Sequence, residues 1–163
     1  MTAGGGEISI EVRVLDHRLE AWGLPRYQTA MAAAIDLFAC VDRTVLLHPH
    51  DAPILISSGL AIHIADPGIA ALILPRSGLG HNKGLVLGNL TGLIDSDYLG
   101  PLFVSAWNRS AAGTAPIEIN PGDRIAQMMF VPVIRPCFAV VEEFSGRSDR
   151  GVGGFGSTGS SPG

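Results

Sequence analysis

The chain has 163 residues and a mass of 17.0 kDa, the size of one ordinary domain. It is 47% hydrophobic and only 16% charged, with a net charge of −4 and a pI near 5.6. This excludes the basic face that a general nucleic-acid or acidic-membrane binder needs. No apolar run approaches the ~18–20 residues of a membrane helix, and Met1–Ile10 carries neither a basic residue nor an apolar core, unlike a secretory signal. Charge this scarce, against roughly 25% in an average domain, predicts a surface partly hidden against copies of the same chain, because a small domain cannot bury all its apolar area.

From Glu7 the chain alternates, with Ile8, Ile10, Val12 and Val14 on one face and Ser9, Glu11 and Arg13 on the other; a period of two predicts a half-buried strand. Further short strands are predicted at Asp36–Cys40, Thr44–His48, Pro53–Ser57, Leu60–Ile64, Ala70–Leu74, Leu85–Leu87, Leu102–Trp107, Ile117–Ile119, Ile125–Val133 and Phe138–Glu142. Turn signals separate them, such as Asp66-Pro67-Gly68 and Asn120-Pro121-Gly122-Asp123. The best helical window is Ala30–Ala34, and a short turn is expected after Ser77. Many short strands cut by Gly and Pro predict an all-β sandwich or barrel. The last eighteen residues, 146–163, hold seven Gly and four Ser, the composition of a flexible arm. The expected division is a β-barrel domain over 1–145 and an arm over 146–163. Cys40 and Cys137 stand far apart in apolar surroundings and read as small core hydrophobes in a reducing, intracellular compartment.

Ten of the eleven basic residues are Arg, and Lys83 is the only Lys. Planar recognition of phosphate or carboxylate favours that choice, and genomic codon bias produces it equally. Three segments carry candidate chemistry. Pro75-Arg76-Ser77-Gly78-Leu79-Gly80 follows an apolar strand and offers a guanidinium, a hydroxyl and free N–H groups to an anion; a plain strand-to-turn junction has the same residues. In Asn89–Gly100, Asp95 and Asp97 would share one face of a strand with Tyr98 on the other, and such carboxylates can orient a water or simply form a solvated turn. In Arg150–Gly159, an Arg and a Phe among glycines suit an arm that closes over a phosphate and a base, or a tail with no role. His48-Pro49-His50-Asp51 reads as a solvated loop, and Glu142-Glu143 as a wet strand end.

Taken in order, these segments resemble the five motifs of the trimeric deoxyuridine triphosphatases (dUTPases). The five are Ala33–Leu37, Pro75–Gly80, Asn89–Gly100, Pro121–Gln127 and Arg150–Gly159, and they span nearly the whole chain. The resemblance implies a jelly-roll β-barrel assembled as a homotrimer with shared active sites, the C-terminal arm of one subunit closing over a pocket built by the other two. It implies hydrolysis of dUTP to dUMP and pyrophosphate with Mg²⁺ as cofactor, in the cytoplasm, with no nucleic-acid or membrane partner. Asp36 resembles the family's metal-linked Asp, which reaches Mg²⁺ through water while the phosphates hold the ion directly. Arg76, Ser77, Gly78 and Gln127 resemble the phosphate-positioning set, and Asp95 the residue that orients the attacking water. Asn89, Gly92, Leu93 and Ile94 resemble the uracil-reading hairpin, and Tyr98 the ring that packs under the deoxyribose. On the arm, Arg150 resembles the residue that holds the terminal phosphates and Phe155 the ring over uracil, with Gly156 and Ser157 beside the substrate.

The first motif departs from the family's Ala-Gly-x-Asp-Leu by carrying Ala34 at the Gly position; the expectation is a backbone that does not need positive φ there. Two other functions compete. A dCTP deaminase shares the fold but lacks the Ile-Asp-x-x-Tyr hairpin, which Ile94, Asp95 and Tyr98 supply here. A non-catalytic nucleotide-sensing trimer would tolerate loss of Asp95, Arg150 or Phe155, and all three are present.

Overall fold

Alternating apolar residues become strands here because two sheets share a single core. The computed structural model describes residues 8–146 and Gly151. One sheet has the order β1-β4-β8-β6, formed by β1 (Glu11–Val14), β4 (Ile54–His63), β8 (Pro101–Asn108) and β6 (Leu85–Leu87). The second has the order β2-β10-β5-β7, from β2 (Ile35–Phe38), β10 (Arg124–Pro132), β5 (Ile69–Pro75) and β7 (Gly92–Ile94). A two-stranded ribbon pairs β3 (Val45–Leu47) with β9 (Ile117–Ile119). All the pairings are antiparallel. Ile56, Leu60, Leu102 and Val104 of the first sheet meet Leu37, Ala71, Ile73 and Met128 of the second in one buried cluster. The fold is the all-β jelly-roll type, with its sheets not closed into a continuous barrel.

Two polar side chains inside this core are satisfied, as burial requires. Ser58 donates from Oγ to the Leu102 carbonyl at 2.9 Å, and Asn108 from Nδ2 to the Leu47 carbonyl at 2.9 Å. The predicted strands Pro53–Ser57 and Leu60–Ile64 are one strand, β4, whose register shifts between Ser57 and Ala61. The bend falls on Gly59, with φ +73°, a bulge that directs the first half toward β8 and the second toward β1.

Helix occurs where it was not expected. Ala30–Ala34 forms turns and bends, while α1 covers Arg18–Trp22. Propensity over five residues is too weak to mark it; α1 is held by tertiary contacts instead. Leu19 is fully buried, and Trp22 lies 6.2 Å from the Phe38 ring. Arg18 donates from Nε and Nη2 to the two oxygens of Asp16, at 2.9 and 2.5 Å, and from Nη1 to the Val41 carbonyl at 2.6 Å. The Arg18 hydrogen bonds hold the Asp16 carboxyl down at about 2. Next to it, burial pushes the Cys40 thiol up to about 11, helped by the Asp16 charge. A Cβ on Gly59 would come within 2.6 Å of Cys40 Sγ and 2.9 Å of Asp16 Cβ, so this corner closes only around a glycine.

Three expectations are corrected. Of the alternating face, Ile10 and Val14 pack on the core while Ile8 and Val12 are exposed, because β1 is a sheet edge four residues long. Phe138–Glu142 is not a strand: the chain leaves the sheets after Pro132, and Ile134, Phe138, Val140 and Phe144 lie open to solvent. Cys137 is exposed for the same reason and is no core residue. Ala34, in contrast, is absent from the positive-φ residues, as expected for a position that does not require Gly.

Candidate active site

The strand ends of the second sheet bring three separate segments together. Asp36 on β2 lies directly across from Gln127 on β10, and Gln127 across from Leu74 on β5. Beyond Pro75 the chain turns at Arg76, which caps α2 (Ser77–Asn82) in an extended conformation. A cleft of about 310 Å³ is lined by Asp36, Arg76, Ser77, Gly78, Leu79 and Gln127. The predicted phosphate set therefore converges at one place. Ser77 and Gly78 are exposed on the first turn of α2, where backbone N–H groups have no helical partner. Gln127 donates from Nε2 to the Pro75 carbonyl at 2.8 Å, which orients an amide that keeps a second N–H.

Asp36 is 13% exposed and is held by two guanidinium groups. Arg76 approaches Oδ1 from Nε at 2.8 Å, and Arg124 approaches Oδ2 from Nη1 at 3.2 Å. Arg76 also donates to the Arg124 carbonyl at 2.9 Å. Two cations on one carboxylate leave the cleft with a surplus positive charge, which attracts anions.

Arg124 lies in the fourth motif without an expected role, and β10 explains why the sequence does not reveal it. Arg124 and Gln127 are three residues apart, which in a regular strand puts them on opposite faces. A register shift between Arg124 and Ala126 returns Arg124 to the side of Asp36. A bulge inside an apolar strand leaves no mark in the pattern; only the Asp36–Gln127 pairing exposes it.

The hairpin residues lie elsewhere. Asn89 and Leu90 form the turn before β7, and Leu90 has φ +64°, uncommon for a side chain of that size. Gly92, Leu93 and Ile94 pair with Ile73, Leu72 and Ala71, with Leu93 turned to solvent. Contrary to the alternation expected for this segment, Asp95 and Asp97 do not share a strand face. β7 ends at Ile94, and the Tyr98 N–H donates to the Asp95 carbonyl at 3.2 Å, so both carboxylates sit in a turn. They nevertheless line one cleft of about 620 Å³ together with His63 and Arg135. Tyr98 donates from its hydroxyl to the Pro101 carbonyl at 3.0 Å.

In one chain these two groups stand apart. Ile94 pairs with Ala71 near the start of β5, and Arg76 follows its end; five residues of extended chain place the two roughly 17 Å apart. Asp95 lines a different cleft from Asp36, Arg76 and Gln127. Arg150, Phe155, Gly156 and Ser157, expected on the arm, lie outside the described residues.

For a divalent cation the donor set is sparse: among the described residues no three His, Cys, Asp or Glu groups converge. Asp36 alone would face such an ion. One carboxylate suits Mg²⁺ carried by phosphates with most of its water retained, so the residues fit that arrangement.

Fold and site define a jelly-roll β protein with a cleft at the strand ends where two guanidinium groups meet one carboxylate. The dUTPase family model matches residues 20–159. The chain is 58% identical over 151 residues to the deoxyuridine 5′-triphosphate nucleotidohydrolase of Methylibium petroleiphilum, covering 93% of this chain and 97% of that one. It is 53% identical to the nucleotidohydrolase of the same name in Psychromonas ingrahamii, covering 92% and 97%. Its fold is similar to that of the Staphylococcus bacteriophage 80alpha dUTPase solved with dUPNHPP, with TM-score 0.79 and 28% identity over 93% of this chain and 99% of that one. It is also similar to a mutant dUTPase from phage phi11 of S. aureus, described for its coordination of a structural Mg(II) ion, with TM-score 0.72 and 27% identity over 85% and 99%. The chain belongs to the dUTPase family.

Proposed function

We propose that the chain hydrolyses dUTP to dUMP and pyrophosphate, limiting uracil incorporation into DNA and supplying dUMP for dTMP synthesis. The observation that carries this reading is the convergence of Asp36, Arg76, Ser77, Gly78 and Gln127, drawn from three segments of a dUTPase-family chain, on one positive cleft. Arg76, Ser77, Gly78 and Gln127 hold the phosphates. Asp36, oriented by Arg76 and Arg124, would hold Mg²⁺ through bound water. When bound with the triphosphate, Mg²⁺ would supply positive charge against that building on the phosphoryl oxygens. Asp95 orients the water that attacks the α-phosphorus, and its task is geometric, since phosphoryl transfer depends mostly on positioning and charge stabilisation. Asn89, Gly92, Leu93 and Ile94 read uracil, Tyr98 lies under the deoxyribose, and Arg150, Phe155, Gly156 and Ser157 close over the substrate.

The working unit in this reading is a homotrimer in the cytoplasm. Two features support it. The hairpin and the phosphate cleft stand too far apart in one chain to act on one substrate, so the hairpin of one subunit serves the cleft of another. Residues 133–146 carry Ile134, Phe138, Val140 and Phe144 in the open, an apolar strap that a neighbouring subunit would cover. No helix among the described residues is long and apolar enough to cross a membrane.

The test is pyrophosphate release from dUTP, dCTP, dTTP and UTP in parallel, with Mg²⁺ and then with a chelator. Release from dUTP alone, abolished by chelation, is expected. Release from none of the four overturns the assignment.

A further inference from the structure

We propose that Gly100 is a specificity-determining position: its missing side chain allows the Tyr98 ring to be pinned at its hydroxyl end, and that pin sets how strictly the site rejects a ribose 2′-hydroxyl. The inference rests on the reading of Tyr98 as the ring beneath the sugar. The chain turns at Asp95–Tyr98, and the Tyr98 ring reaches forward past Gly100 so that its hydroxyl donates to the Pro101 carbonyl at 3.0 Å. Pro101 opens β8 and pairs with Ala61 of β4, so the ring is tied to a sheet and not to a loop. The path of the ring crosses Gly100. A Cβ there would overlap the Tyr98 hydroxyl oxygen and come within 2.6 Å of Cζ and 3.0 Å of Cε2.

Space, and not backbone conformation, requires the glycine. Gly100 is absent from the positive-φ glycines, so an alanine there costs no left-handed strain. What must yield is Tyr98, and at 42% exposure the ring has solvent to swing into. Alanine at 100 therefore moves the ring and leaves the fold standing. Rejecting UTP means rejecting one extra oxygen by closeness, which works only against a wall that does not yield. A ring fixed at both its Cβ and its hydroxyl is such a wall; one fixed at Cβ alone rocks aside.

The experiment compares kcat/KM for dUTP and UTP in the full chain, in Gly100→Ala and in Tyr98→Phe, with thermal unfolding as the check on folding. The dUTP-to-UTP ratio is expected to fall about tenfold in Gly100→Ala and about threefold in Tyr98→Phe, which keeps the ring and removes only its tether. A lowered KM for UTP accompanies both. Both nucleotides losing kcat/KM by a common factor, or a ratio unchanged from the unsubstituted chain, overturns the pin. Should Gly100→Ala fail to fold, Tyr98→Phe decides alone, and an unchanged ratio overturns the pin. An unsubstituted chain with no preference for dUTP over UTP overturns the functional reading underneath, a result distinct from failure of the pin.

Discussion

The two ends of β5 are built differently. At its C-terminal end, Arg76 and Arg124 hold Asp36 and each other through charge-assisted hydrogen bonds, Gln127 is tied to the Pro75 carbonyl, and the cleft is formed within one chain. At its N-terminal end the hairpin is paired over only three residues, and Leu90, Leu93 and Leu99 face solvent. A cluster of opposite charges organises itself at short range, whereas an apolar hairpin needs a surface to close on. The contrast shows one end of β5 organised by its own charges and the other leaving apolar side chains uncovered.

The largest effect is expected at the hairpin end. Asp95→Asn should lower kcat about 10³-fold, the scale for loss of one acid–base or water-orienting group, while KM changes less than about threefold. Steady-state kinetics check this, and equal losses in affinity would make Asp95 a binding residue. At the other end, Arg124→Ala removes one of the two guanidinium groups on Asp36 and should lower kcat/KM by about 10- to 100-fold, with partial recovery in Arg124→Lys. A variant with full activity would show that Arg76 alone suffices to orient Asp36.

The α1 corner is a third region, remote from both, and it separates stability from chemistry. Gly59→Ala pushes a methyl against Cys40 and Asp16 at a left-handed φ, and should cost about 2–4 kcal/mol of stability in chemical denaturation. The smallest effect is in pH. The Asp16 carboxyl is lowered from 3.8 to about 2 in the folded chain, so its stabilisation is complete above about pH 4. It is lost as the pH falls through about 2. Urea midpoints from pH 5 to pH 2 should show a slope that Asp16→Asn reduces.

How much of this could be read from the sequence depends on the range of the cause. Strands such as Ile69–Pro75 and Arg124–Pro132 are short apolar runs bounded by turn residues, and the residues of the Asp36 cleft lie in short motifs, so both were legible. α1 was not, because Leu19 and Arg18 earn their places through Gly59, Cys40 and Val41, all distant in sequence. Arg124 was hidden by a bulge that exists only against β2. Phe138–Glu142 has the composition of a strand but pairs with no sheet edge among the described residues, and local composition does not carry that information. The arm residues Arg150 and Phe155 remain proposals from the motif alone.

The placement of the hairpin at one end of β5 and the Asp36 cleft at the other has a genetic consequence. In an assembly where each site takes its hairpin from one subunit and its cleft from the next, every chain serves two reactions, and damage to its two ends is separable. Asp95→Asn and Arg76→Gln chains should each be inactive alone. Unfolded together and refolded as a mixture, they should regain activity, because some sites then combine the intact hairpin of one with the intact cleft of the other. A site contained within one chain would gain nothing from mixing.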